Sequence, residues 1–556
     1  MIKEKGECWH TLQSCKSLAK RVKKQQKLQW VHGDYGKLLP QRAMADLLID
    51  NYLRTSETIH RIFHIPSFRR EYDRLWEDRS AASLGFIIQV QLCCAIGALL
   101  YDDEFSLRSQ AMQWIQEAGA WLESSAKPRL MLFTIQTMCL HRIARENTQG
   151  TYGDRVWILS GTLIRAAMSI GLHRDPTKLT GISPAQAELR RRLWATVLEL
   201  ALDSCLDPGA APLISLDDFD CALPSNLDDT QLNLDENESN LAPQSPDCYT
   251  DSSLQIALGQ SFAIRLAIAR FPTKLENDYQ EALKLNEEYT ATCRSLSDAL
   301  RPLHAKLSAY QRQYFEMIVC RYVFTLHIPY VVAGANNPDY SVSRTACVDA
   351  ALNLAHSALP ISSTQDQLLA AVHAMNVNRP QGEDFVRLCI CASGSYRSVL
   401  FQAISIIAAE LITTASESTS SFRWPMGLAT GATPLSGNMR ALELLSLLRV
   451  ANEWTKRRLM AGPESNKDHL FVSLCLANIE ATMKGAVAKE AMDASGQIAC
   501  SESKEVLERL LVASGGNSGE SSEVSEGHFS PDDDFLWMND MWLVQPGSFG
   551  VDFAAL

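Results

Sequence analysis

No apolar run follows the basic residues Lys3, Lys5 and Lys16, so the sequence lacks the hydrophobic core of a secretory signal and is expected to stay inside the cell. Its 15 cysteines stand singly apart from Cys93-Cys94 and Cys389-x-Cys391, without the even framework of a disulfide scaffold, which points to a reducing compartment. No two of them take the C-x2-C spacing that lets adjacent turns chelate a metal. A Gly-x-Ser-x-Gly elbow, a phosphate loop and a dinucleotide fingerprint are all missing. Alternation of the kind that marks β-strands is rare, and there is no clean internal repeat. The longest apolar run, Leu84 to Tyr101, has the length of a bilayer span, yet Gln89 and Gln91 interrupt it and Asp102-Asp103-Glu104 ends it. A central buried helix accounts for it better.

With 556 residues, 46% of them hydrophobic, the chain can bury a large core. Apolar residues recur at three- to four-residue spacing over Met44–Phe63, Leu84–Leu100, Ala111–Leu122, Leu130–Ile143, Val156–Ile170, Ala187–Leu202, Leu254–Ala269, Leu283–Leu300, Gln311–Leu326, Arg344–Leu359, Phe385–Ile412, Met439–Met460 and His469–Val487. The fold expected is all-α, a large multi-helix domain with a short basic N-terminus and a disordered acidic C-terminal tail. Two loops are expected to be mobile: Asp228–Asp251, with seven acidic residues, two prolines and no Lys or Arg, and the Ser-, Gly-, Thr- and Pro-rich Ser416–Asn438. The formal charge of −12 argues against a nucleic-acid surface spread over the whole molecule, but it hides a polarity. Residues 1–30 hold eight Lys or Arg against Glu4 and Glu7, whereas residues 515–556 hold eight Asp or Glu and no base.

The most informative stretch runs from Tyr152 to Arg192. Trp157, Gly161, Ile164, Met168 and Gly171 make one apolar stripe carrying two glycines, which suggests a close helix approach at Gly161 and an end cap at Gly171. Leu172-His173-Arg174-Asp175-Pro176 stops the helix, and Ser183-Pro184 opens another with Glu188, Arg190, Arg191, Arg192 and Trp194. Three adjacent arginines cannot share one helix face, so at least one is expected to turn toward a buried carboxylate such as Glu188 or Asp203.

At these residues the chain resembles the fungal-specific transcription factor domain, the middle homology region of regulators that carry a six-cysteine, two-zinc cluster. The family pattern of Trp, Gly and Arg, then Gly-Leu-His-Arg-Asp, then Glu-Leu-Arg-Arg-Arg-Leu-Trp, is met by Trp157, Gly161 and Arg165, by Gly171 to Asp175, and by Glu188 to Trp194. Asp203, the turn Gly209 to Pro212, Asp217-Asp218 and Leu223-Pro224 continue it, with Gly-Ala-Ala-Pro in place of the usual Gly-Arg-Pro. Upstream, Phe63-His64-Ile65-Pro66-Ser67-Phe68, Tyr72 and Trp76 look like the family's first motif. The resemblance covers about residues 45–330 and implies a nuclear regulator with DNA as a partner, a body that dimerises, restrains an activation segment or answers a metabolite, and control of metabolic or secondary-metabolite genes. Trp157, Gly161, Arg165, His173, Arg174, Asp175, Glu188, Arg190, Arg191, Arg192 and Trp194 are then scaffold. Zinc is implied only through a cysteine cluster, of which this chain has neither half; Cys8 and Cys15 alone stand near its N-terminus. Either the DNA-reading module was lost or lies outside this sequence, or the protein is recruited by a partner and never touches DNA.

Lys20-Arg21-Val22-Lys23-Lys24 and Lys27 fit a nuclear import signal or a phosphate-contacting arm, against the plainer reading of a solvated basic helix tip. In the tail, Asp532-Asp533-Asp534 precedes Phe535, Trp537 and Trp542, the mixture of an acidic activation segment that a coactivator groove accepts as a short helix; docking back onto the helical body is the alternative. The organisation expected is a basic segment over 1–40, a helical regulatory domain over 41–512 and an acidic aromatic tail over 513–556. Catalysis has thin support. Glu57-x-x-His60 and His64 imitate metal ligands without the second Glu-x-x-His that a di-iron site needs. Asp102-Asp103-Glu104 imitates a magnesium cluster, and Asn277-Asp278 begins a partner motif without completing it. An all-α enzyme acting on an apolar substrate is the competing reading, while catalytic, cofactor and metal residues are expected to be absent and no membrane span is expected.

Overall fold

Helix α5, Leu84–Gly97, is apolar on every side and therefore lies inside the bundle, with all but one of its residues buried. Its two glutamines find acceptors there: Gln89 donates to Thr137 and to the Phe133 carbonyl, and Gln91 donates to Glu117. The structure, a computed structural model, describes residues 7–27, 35–124, 130–149, 153–232, 234, 241–275, 278–333, 337–359, 383–420, 434–462 and 465–513. Among these residues there are nineteen α-helices and no β-strand. Before α5 come α1 (Glu7–Lys27), α2 (Arg42–Arg54), α3 (Ser56–His60) and α4 (Ile65–Glu77). After it come α6 (Arg108–Glu123), α7 (Leu132–Gln149), α8 (Gly153–Ser169), α9 (Pro184–Leu206), α10 (Ser253–Gln260), α11 (Phe262–Arg270) and α12 (Tyr279–Leu300). The remainder is α13 (Ala309–Ala333), α14 (Ser341–Ala358), α15 (Asp384–Cys391), α16 (Ser395–Ser420), α17 (Pro434–Ala461), α18 (Asn466–Lys484) and α19 (Ala488–Ala513).

One hydrophobic core runs from Ala45 to Ile479, with α5 packed on α2, α6 and α7, α8 on α9, and α13 to α18 closing the other half. Helix α1 packs along α19 and touches α6, and its buried residues join small clusters with α18 and α19 outside the main core. Ser395–Thr414 is the one described segment long and apolar enough to cross a membrane, and Val399, Leu400, Ala403, Ile404 and Ile407 of that segment are buried in the bundle.

Three stretches expected as single helices are each broken in two, and buried polar groups explain the breaks. In Met44–Phe63 the Thr55 hydroxyl takes the Asn51 carbonyl at 2.6 Å, and Arg61 in the left-handed region (φ 46°) ends α3. In Leu254–Ala269 the Arg265 guanidinium takes the Leu258 carbonyl at 2.6 Å, which a continuous helix would have given to Phe262. In Phe385–Ile412 the Arg458 guanidinium donates to the carbonyls of Ile390 and Ala392 at 3.1 and 2.9 Å, while Ser393 donates its N–H to the Asn147 carbonyl. The acidic loop is only partly as expected: Asp229 lies in a short 3-10 turn and is 3% exposed.

Candidate functional site

The end of α8 shows why Gly171 is a glycine. Its φ is +74°, the N–H of Leu172 reaches the Ala167 carbonyl at 3.1 Å and that of Gly171 reaches Met168 at 3.0 Å, the paired bonds of a left-handed helix cap. Buried Leu172 then turns the chain toward α9, whose first turn Ser183 caps by accepting from the Gln186 N–H. Gly161 meets no second helix; the loop side chain of Leu213 and its own neighbour Arg165 are what a Cβ there would touch. Trp157, on the same helix, donates its indole N–H to the Ala211 carbonyl at 3.1 Å, which ties α8 to the turn after α9.

The three arginines at the start of α9 take three different jobs. Arg190 donates to the Ile170 carbonyl at 2.9 Å and so caps α8. Arg191 grips both oxygens of Asp175, at 3.3 and 3.2 Å. Arg192, with none of its surface exposed, donates to Asp229 at 2.5 Å and to the Leu227 carbonyl at 2.7 Å, and lies 3.4 Å from Glu188.

Asp175 gathers five donors. Besides Arg191, its carboxylate accepts from Thr177 through both N–H and hydroxyl and from the N–H of Ala222. Burial would raise its pKa, but these donors hold it well below the usual carboxylate range. Its own N–H is taken by Asp220, which also meets Lys178 at 2.8 Å and Arg174 at 3.6 Å at the surface. His173 gives its carbonyl to the N–H groups of Asp220 and Cys221, and its ring stands 6.3 Å from Trp194. Trp194 in turn meets Phe219 edge-on at 5.7 Å.

Asp229, within the acidic loop, is the second hub. It pairs with Arg61 and Arg192, accepts the Ile65 N–H at 2.7 Å at the start of α4, and offers its carbonyl to His64. Burial raises its pKa and the two arginines overcome that, leaving it depressed. The acidic pair after an apolar Leu227 was the available signal, masked by the acidic composition of the whole loop. Glu57 lies beside this hub, accepting from Tyr52 at 2.5 Å and from the Phe63 N–H at 2.9 Å. Complete burial pushes its carboxyl up to about 7, against the pull of Arg61.

Asp203 belongs to a third hub rather than to the arginine triplet. It accepts from Arg142 and Ser395 at 2.9 Å each and pairs with Arg321, whose other nitrogen reaches Asp207 at 2.6 Å. Arg142 also meets Glu146 at 2.6 Å, and burial pushes that carboxyl up to about 8. A cavity of about 30 Å³, enough for a water molecule or two, lies among Arg142, Asp203, Arg265, Arg321, His60 and Tyr314. Each guanidinium on its wall is matched by a carboxylate, Arg265 by Glu199 at 2.8 and 2.5 Å. Such a balanced set can hold elements together.

The residues that imitate metal ligands point to different partners. His60 stacks edge-on to Tyr314, His64 bonds Ser67 and Asp229, Asp102 closes its own loop on Ser106 and Glu104, and Asp103 pairs with Arg387. Among the described residues, no three His, Cys, Asp or Glu are grouped to hold a metal ion. Lys20 and Arg21 lie on α1, along α19 and away from α8 and α9. The side chains of Lys23, Lys24 and Lys27, and Phe535, Trp537 and Trp542 entirely, fall outside the described residues.

Comparison with known proteins adds to this geometry. Residues 49–298 match the family described as the fungal specific transcription factor domain. Transcription factor opdR of Penicillium oxalicum is 32% identical over 438 residues, covering 75% of this chain and 53% of its own length. Transcription factor lepE of Aspergillus flavus is 33% identical over 57% of this chain and 39% of its own. The Aspyridones cluster regulator apdR of Emericella nidulans is 30% identical over 61% of this chain and 46% of its own. The chain thus spans about half, or less, of the length of these curated relatives. No solved structure matches it.

Proposed function

We propose that this protein is a nuclear transcriptional regulator of a biosynthetic gene cluster, because residues 49–298 match the fungal specific transcription factor domain. The observation that carries the reading is its 32% identity over 438 residues to a fungal transcription factor, an alignment far longer than the signature itself. Similarity to a protein named for the cluster it regulates supports the choice of target. In this reading the three arginine hubs are scaffold, the basic segment Lys20, Arg21, Lys23, Lys24 and Lys27 directs import or contacts phosphates, and the tail around Phe535, Trp537 and Trp542 engages a coactivator.

The likeness to transcription factors supports contact with DNA. Recruitment by a partner is the second reading. The full chain, fused to a fluorescent protein and separately tethered to a promoter, tests the proposal. Nuclear signal and reporter output are expected, with output lost when Phe535, Trp537 and Trp542 become Ala. Uniform cytosolic signal with no reporter change, in a host that expresses the chain, refutes it. A gel shift with the promoter of the induced genes separates direct contact from recruitment.

A further inference from the structure

We propose that the cavity at the third hub is a binding site for one or two ordered water molecules. They join His60 of α3, Glu146 of α7 and Tyr314 of α13 through hydrogen bonds that these side chains do not complete with protein groups. The site is independent of the regulatory reading above. Packing alone brings the three side chains to one cavity, from helices far apart in the sequence.

Hydrogen bonding sets what the cavity must supply. Glu146 gives Oε2 to Arg142 at 2.6 Å and holds its proton at neutral pH, because burial pushes its carboxyl up to about 8. A protonated carboxyl is itself a donor. Nδ1 of His60 is buried with no partner, and burial keeps the ring neutral by lowering its pKa to about 4, so one of its nitrogens is an acceptor. The Tyr314 hydroxyl, on the same wall, has no hydrogen-bond partner among the described residues. Only its ring is engaged, edge-on to His60 at 6.4 Å and beside Tyr310 and Tyr396. Buried polar groups are nearly always satisfied, by ordered water where no protein partner is in reach.

Charge and size choose the guest. Arg142 and Arg321 are matched by Asp203 and Arg265 by Glu199, so the wall calls for no ion. A water needs roughly 10–15 Å³ and two to four polar partners, so a cavity of about 30 Å³ has room for water and not for a molecule of metabolite size. Gly394 keeps that space narrow: a Cβ there would lie 2.5 Å from Cγ of Glu146, so the turn before α16 packs directly on this side chain. The joint between α3, α7 and α13 is thus wet, whereas the Asp175 and Asp229 hubs close on direct bonds to arginine.

Relaxation dispersion of the water oxygen-17 and deuteron signals tests this, because it counts the waters held inside the full chain. Tyr314→Phe keeps the ring and removes one partner. It should lower the count by about one or two, and lower the melting temperature, since His60 and Glu146 lose the water they shared with it. A dry cavity gives the opposite sign, because removing an unpartnered buried hydroxyl leaves the melt unchanged or raises it. An unchanged water count in folded Tyr314→Phe overturns the proposal, whatever the melt does. If the variant does not fold, a crystal structure of the parent decides. Water density within hydrogen-bond distance of both His60 and Tyr314 is expected there, and a cavity without it, or one filled by another molecule, overturns the assignment.

Discussion

Removing one partner from a buried, balanced ion pair strands the other, at a cost of about 3–5 kcal/mol, whereas a pair at the rim of a fold costs much less. Arg192 and Arg191 are adjacent in sequence yet fall on opposite sides of that line. Arg192→Met leaves buried Asp229 to Arg61 and buried Glu188 to the more distant Arg191 at 3.8 Å, and should lower unfolding free energy by about 3–5 kcal/mol. Arg191→Met frees an Asp175 that keeps its Thr177 and Ala222 donors, and should cost about 1–2 kcal/mol, both read from urea titrations of the full chain. Glu57 makes the opposite kind of prediction. Its folded pKa near 7 lies above the unfolded value of 4.5, so the folded state binds the extra proton between them, and stability falls as pH rises through 7. Glu57→Gln keeps an acceptor for the Phe63 N–H and removes the ionisation. It should match the parent near pH 5 and exceed it near pH 9 by an amount on the order of 3 kcal/mol, while identical pH profiles would contradict the assignment. Tyr52, Arg61, Cys93 and Asp229 face this carboxyl and stay unchanged in the comparison.

At the scale of elements, periodicity located most of the helices because burial selects one apolar stripe per helix, and that selection is written locally. The splits at Thr55, Ser261 and Ala392 were not legible for a physical reason. Each leaves backbone carbonyls to satisfy, and in two of the three the donor is a guanidinium, Arg265 or Arg458, whose identity as partner depends on the packed structure. Glycines divide the same way. Gly171 reads as a cap from its place before Leu-His-Arg-Asp, and Gly171→Ala should cost about 1–2 kcal/mol through its left-handed backbone alone. Gly97 carries no such local mark. A Cβ there would run into the Leu48 carbonyl where α2 crosses α5, so Gly97→Ala should cost about 3 kcal/mol or more. Thermal melts of the two variants, ranked against the parent, check the order.

For the whole molecule, the separate small clusters of α1 and α19 imply a hierarchy of stability. Val22→Asp places a charge in the Leu507 and Leu511 contact. Trypsin should then cut after Lys16, Lys20 and Arg21 many-fold faster, while the main urea transition shifts by less than about 1 kcal/mol, because α1 contributes little to the large core. A collapse of the main transition would show that α1 is part of the body after all.

The sequence by itself determined the helical class, the buried α5, the cap at Gly171 and the family signature, since these follow from spacing, turn chemistry and residue types read within one or two turns. Only the tertiary structure decided which carboxylate each arginine meets, why three helices break, that Asp229 rather than Asp203 answers Arg192, and that α1 ends beside α19. Those outcomes depend on charges and carbonyls brought together across tens to hundreds of residues, where burial makes each pairing obligatory but no local pattern names the partner.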